Sequence, residues 1–458
     1  MAGLGVAAWG FSGSPVHAQS GSTGAHTLFH QQTRDDVAGE LHRSVAATGV
    51  APQPYTHEVP WGFGSDTPAF FRDALMQVVG RTYYLKRDNS DGSTSQAWAA
   101  GGWIAFRSGL VADMFGIQAA LYTSQRLYGP WDQSGSLLLN PEQEPLNVLG
   151  QAYVRLKIQD QELRGGRQSI DTPLINPQDN RMVPITFTGA VMTTLADSQR
   201  SYDYAFGYIA DAKLRDSNDF VSMSDALTGS ETVNRGATFG MVKYRPTAGL
   251  STVFMDYYIA DFINTGFAQA EYHLQLPGNV PRWTVGANVI DQRSVGADLL
   301  TGVPFNTYQA SAQVQMTYLG WTSFVAGSVT GSGSQIYSPF GNQPNYTNMQ
   351  QVAFSNAGEK AIGASLAYEF GHAFKDIGLD GLSAGVWYSQ GWDAINPVTN
   401  TAIPDRDELN LWLQYRPSEG PLKGLRVKAQ YSSLRQAGNV RSDQPEFRFL
   451  ADYTILVR

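Results

Sequence analysis

The chain has 458 residues, a formal net charge of −8 and no cysteine. Charged residues make up 16% of it, against about 25% in an ordinary soluble domain. The acidic balance argues against a nucleic-acid partner, and the missing thiols remove disulfide scaffolds, thiolate metal sites and Cys nucleophiles.

Residues 1–18 read as the end of a signal peptide, with a small-x-small cleavage pattern at Val16-His17-Ala18. The usual positive n-region is missing, since no Lys or Arg precedes Arg34. Residues 19–72 form a polar leader expected on the periplasmic side. It holds one short helix, where Thr33 and Asp36 make a capping box and Val37, Leu41 and Val45 share a face. Pro52, Pro54, Pro60 and Pro68 break any continuation.

From residue 73 to 458 the dominant signal is period two. In chain order the predicted strands cover 75–87, 96–107, 113–124, 148–159, 162–169 and 185–195. They continue at 201–214, 234–246, 249–261, 266–276, 282–292 and 306–319. The last six are 321–331, 360–370, 381–391, 407–416, 424–435 and 446–457. The pattern is cleanest from Tyr308 to Tyr318, where Ala310, Ala312, Val314 and Met316 share one face and Gln309, Ser311, Gln313 and Gln315 the other. Between Asp298 and Glu359 there is no Asp, Glu, Lys or Arg, yet the stretch is too rich in Gln, Asn, Ser and Gly for a lipid-spanning helix. Strands uncharged on one face and polar on the other, often ten to thirteen residues long, suit a membrane rather than a soluble sheet. Short connections (198–200, 247–248, 278–280, 319–320) alternate with long polar ones (125–147, 215–233, 332–359). The expected fold is therefore all-β: a transmembrane antiparallel β-barrel of eighteen strands in a Gram-negative outer membrane.

Strand parity puts Arg81, Arg107, Arg155, Lys157, Arg235, Lys243, Arg245, Arg426, Lys428 and Arg448 on inward faces. Closure of the last strand onto the first would gather many of them on one wall, opposite neutral Gln, Ser and Thr. Singly, such charges merely keep a lumen hydrated; clustered, they make a field that draws anions, and Arg meets a carboxylate with two parallel hydrogen bonds.

The connection after the fifth strand differs from the rest. Leu163-Arg164-Gly165-Gly166-Arg167 leads into Pro173 and Pro177, then Asp179-Asn180-Arg181-Met182-Val183-Pro184 and Phe187-Thr188-Gly189. This segment resembles the OprD family of outer-membrane porins, with supporting echoes at Arg87-Asp88, Trp98, Ser108-Gly109, 378–382 and 445–453. The resemblance covers about 73–458 and implies an eighteen-stranded barrel whose third outer loop folds inward. It implies selective diffusion of small carboxylates (amino acids, small organic or aromatic acids) past a basic ladder to that loop. Arg155, Arg164, Arg167 and Arg181 match basic positions near the constriction; with Lys157, Arg235, Arg426 and Arg448 they form the expected substrate-binding set. No cofactor or metal is expected. Expected partners are the carboxylate substrates, outer-membrane lipid and lipopolysaccharide, and the barrel-assembly machinery through the last strand; a homotrimer suits this architecture. Two features depart from the family: the long leader, and Arg458 where an aromatic residue or Leu would stand.

The alternative is an unselective general porin. A barrel-embedded hydrolase would need a nucleophile–base pair. Of seven His, only His273 and His372 lie in the barrel, and there is no Gly-x-Ser-x-Gly. Residues 331–335, Gly-Ser-Gly-Ser-Gln, read as a flexible outer loop.

Overall fold

The computed structural model describes residues 56–195, 201–247, 249–274, 276–374 and 379–458. The signal-peptide and leader-helix expectations fall outside them. A short strand, His57–Val59, and a helical turn, α1 (Ala69–Arg72), precede the barrel. The first six barrel strands are β1 (Leu75–Asp88), β2 (Thr94–Arg107), β3 (Phe115–Tyr128), β4 (Leu146–Ile158), β5 (Gln161–Gln168) and β6 (Thr186–Thr194). Then come β7 (Tyr202–Lys213), β8 (Ala237–Tyr244), β9 (Leu250–Ile259), β10 (Ile263–Leu274), β11 (Arg282–Ser294) and β12 (Asn306–Tyr318). The set ends with β13 (Trp321–Thr330), β14 (Lys360–Glu369), β15 (Leu382–Trp392), β16 (Arg406–Tyr415), β17 (Leu425–Gln436) and β18 (Asp443–Val457). Two further helical turns, α2 (Met223–Thr228) and α3 (Gly371–Phe374), lie in connections.

Each barrel strand pairs antiparallel with its sequence neighbour, and β18 pairs with β1 from Met76↔Val457 to Arg87↔Glu446, so the sheet closes. Closure gives every barrel strand a partner on both sides, which is what hydrocarbon demands of a backbone. Every predicted strand has its counterpart here.

Parity sets the faces. On β12, Ala312 and Val314 are exposed outward while Gln309, Gln313 and Gln315 are buried inward. Leu319 and Gly320, which join β12 to β13, both have positive φ, as a two-residue I′ hairpin needs. Short turns of this kind gather on one rim and long connections on the other.

The long connections do not stay outside. Ile170, Leu174, Ile175 and Ile185 of the β5–β6 loop form one apolar core with Met223 and Leu227 of α2 and with Ile336 and Phe340 of the β13–β14 connection. Inward side chains of β7–β11, among them Phe239, Met255, Tyr257 and Phe267, complete it. On these strands both faces are apolar, one for lipid and one for the loops that fill the lumen. The reading of 331–335 as an outer loop fits Ser332 and Gly333, which are exposed, but the connection they open does not stay outside. Ser334 is buried, and the connection from 331 to 359 crosses the inside of the barrel, because its polar side chains find partners on inward faces there.

Candidate functional site

Three guanidiniums converge on one carboxylate at the short-turn rim. Glu162, on β5, is bonded by Arg164 Nε at 2.7 Å and Arg155 Nη1 at 3.3 Å, with Arg107 Nη2 at 3.7 Å. Regular pairing of β4 with β5 (Arg155↔Arg164) brings the two arginines side by side. Arg155 also donates to the Ser108 carbonyl at 2.7 Å, and its Nε has no hydrogen-bond partner. Three guanidiniums and one carboxylate thus share a single patch of the inner wall.

Toward the middle of the lumen, Arg81 reaches Asp179 of the β5–β6 loop at 2.6 Å and Asp452 of β18 at 3.3 Å. Arg426, from β17, pairs with the same Asp452, and Lys428 stands over the Trp412 ring. Four residues further along β18, about 13 Å toward the long-loop rim, Arg448 is bonded to Glu446 and donates to the Gln350 carbonyl at 3.2 Å. Arg87 lies 3.6 Å from the same Glu446.

Between these levels sits the β5–β6 loop. Arg181 is buried, donating to the Ser136 and Asn180 carbonyls at 3.0 and 2.8 Å. Burial first, and then the Arg448 guanidinium, push Arg181 well below its usual pKa. Arg215, on the β7–β8 connection, donates to the Asn180 side chain and is held down to about 10, mainly by burial.

The expected set is therefore divided. Arg155, Arg164, Arg181, Arg426 and Arg448 line the inside, and Lys157 stands at the rim, 3.7 Å from Asp113. Arg167 is corrected: its side chain is exposed on the outer side, stacked over Phe220 at 4.4 Å. It is three residues from Arg164, and odd separations face opposite ways on a strand. Arg235 is also corrected. Sequence parity extends the strand through it, but β8 starts only at Ala237, and Arg235 sits at the long-loop rim paired with Asp261 at 2.8 Å.

Sequence reasoning missed Glu162, Asp179 and Arg215, and it missed the second inward loop. That loop is tied down by amides and backbone. Asn288 donates to the Pro344 carbonyl at 2.6 Å, Tyr346 to Glu271 at 3.1 Å, and Gln350 to Glu446 at 2.8 Å. Glu408 accepts from the Gln351 and Val352 amides at 3.0 and 3.1 Å. The loop meets the β5–β6 loop at Asn176, whose N–H donates to the Phe340 carbonyl and whose Oδ1 accepts from the Asn342 amide, each at 2.9 Å. The available signal was the long uncharged, Asn/Gln-rich stretch, whose amides need buried partners once they leave water.

No group of three or more His, Cys, Asp or Glu that could hold a metal occurs among the described residues.

The sequence pattern of the OprD family of outer-membrane porins matches residues 68–457. Porin D of Pseudomonas aeruginosa is 22% identical over 425 residues, covering 86% of this chain and 93% of that protein. Porin-like protein GalP of Pseudomonas putida is 23% identical over 406 residues, covering 84% and 93%. Among solved structures, Pseudomonas aeruginosa OpdK, determined with vanillate, superposes with a TM-score of 0.74 at 21% identity, covering 84% of this chain and 100% of that one. Acinetobacter baumannii OccAB2 gives 0.75 at 18% identity, covering 85% and 100%. With the closed eighteen-stranded barrel and the motif around its third long loop, the match places the chain in the OprD family of outer-membrane porins.

Proposed function

We propose that the barrel is a selective diffusion channel for small carboxylate-bearing nutrients, with the long-loop rim outside the cell and the β5–β6 loop as its constriction. One observation carries this: the guanidiniums of Arg107, Arg155 and Arg164 converge on Glu162 on one patch of the inner wall. A carboxylate leaving water must have its charge met along the way, and each site must release it again. Arg448, then Arg81 and Arg426, then the Glu162 cluster offer successive stations. At each, a protein carboxylate already holds part of the charge, so an arriving anion is bound weakly enough to move on. The vanillate in the OpdK structure is a carboxylate of this size, which supports the reading by kinship.

The test is the reversal potential in a salt gradient across a planar bilayer, together with carboxylate flux into liposomes. Replacing both Arg107 and Arg164 by Gln should lower the preference for anions and slow carboxylates more than neutral solutes of equal size. An unchanged reversal potential and flux would leave an unselective pore.

A further inference from the structure

The segment before the barrel forks around the end of the closing strand. β17 begins at Leu425, opposite Tyr453, so Ile455, Leu456 and Val457 of β18 run on past it. On their other side β1 pairs with them, from Met76↔Val457 to Val78↔Ile455. On the β17 side, His57, Glu58 and Val59 pair parallel with Ile455, Leu456 and Val457. The ladder continues, with Arg458 N–H donating to the Val59 carbonyl and Trp61 N–H to the Arg458 carbonyl, each at 2.9 Å. Glu58 and Arg458 form an ion pair at 2.6 Å. Gly424, at the head of β17, packs so closely that a Cβ there would meet His57 at 3.1 Å. The chain then passes beneath the strand end to β1, held by Trp61 Nε1 donating to the Ala74 carbonyl at 2.8 Å.

We propose that residues 57–61 are a closing latch. They fill the stretch of β18 backbone edge that β17 leaves open. An open edge of alternating apolar residues is a template for another chain. The latch denies it that role and ties the two ends of the barrel together. Arg458 gains a partner in Glu58.

Because the chain has no cysteine, a disulfide reports the contact cleanly. In the folded full-length protein, Val59→Cys with Val457→Cys should oxidise to a cross-linked form on a non-reducing gel. Val59→Cys with Ala451→Cys, six residues or about 20 Å up the strand, should not. Absence of the first cross-link in folded protein would overturn the latch. A second variant replaces residues 57–61 by five Gly and Ser. It should lose its compact, heat-modifiable form several degrees lower than the wild type while keeping its single-channel conductance. An unchanged transition temperature would equally overturn the proposal, whatever the channel is found to carry.

Discussion

Among the arginines, the face of the strand decides what each can do. Arg155 and Arg167 are both basic, both near the third long loop, and about equally conspicuous in the sequence. Arg155 is buried against Glu162 on the inward side, whereas Arg167 lies outside, over Phe220. Arg155→Gln should shift the reversal potential toward cations, while Arg167→Gln should leave it where it is. If the two variants shifted it equally, the charges would be acting through the bulk field and not as stations in the lumen. Close approach matters as much as charge. At Gly341 a Cβ would lie 2.4 Å from atoms of the Asn176 side chain, so the close approach of the two inward loops at this point requires glycine. Gly341→Ala should separate them at that point and raise single-channel conductance, with the barrel itself still folding. An unaltered conductance would show that the loop-to-loop contact does not limit the pore.

For a strand, the controlling quantity is parity relative to lipid. Ala312 faces outward near the middle of β12, and Gln269 faces inward two strands away on β10, one residue from the same register level. Ala312→Arg places a charge in hydrocarbon and should cost about 2–4 kcal/mol, read as a lower denaturant midpoint for the folded barrel. Gln269→Arg enters a polar wall beside Glu271 and should fold normally with changed conductance. Equal stability of the two variants would mean that β12 does not face lipid. The connections obey a different rule. The β7–β8 connection keeps its helical turn because Ser222 caps it through the Asp225 amide and Gly229 ends it in the left-handed region. Its apolar side, Met223 and Leu227, then has somewhere to go: the core inside the barrel.

Over the whole molecule, rim asymmetry predicts orientation. Val398, 87% exposed in the β15–β16 connection, stands on the long-loop rim, and Asn279 stands in a turn of the opposite rim. On intact cells an impermeant thiol reagent should label Val398→Cys and spare Asn279→Cys. Labelling of Asn279→Cys alone would invert the barrel. Charge is also arranged at this scale. Strands distant in sequence, β1, β2, β4, β5, β17 and β18, bring Arg81, Arg107, Arg155, Arg164, Arg426 and Arg448 onto one stretch of wall, and it is closure of β18 onto β1 that joins the two groups.

Strand number, strand faces and the two kinds of rim were legible in the sequence because each is a local property. Period two and turn length are written within ten or so residues, and lipid on one side with polar lumen on the other enforces them. The identity of the basic wall was nearly as legible, since closure requires first and last strands to meet. What the tertiary structure decided was which partners those charges take. That Glu162 gathers three arginines, that Asp179 reaches across to Arg81, and that Arg235 belongs to the rim depend on side-chain reach across non-neighbouring elements. The second inward loop was decided the same way. Its amides are equally content in water or against Glu408 and Glu446, and only the enclosed geometry of the lumen, with apolar faces on β8–β11 needing cover, selects the inside.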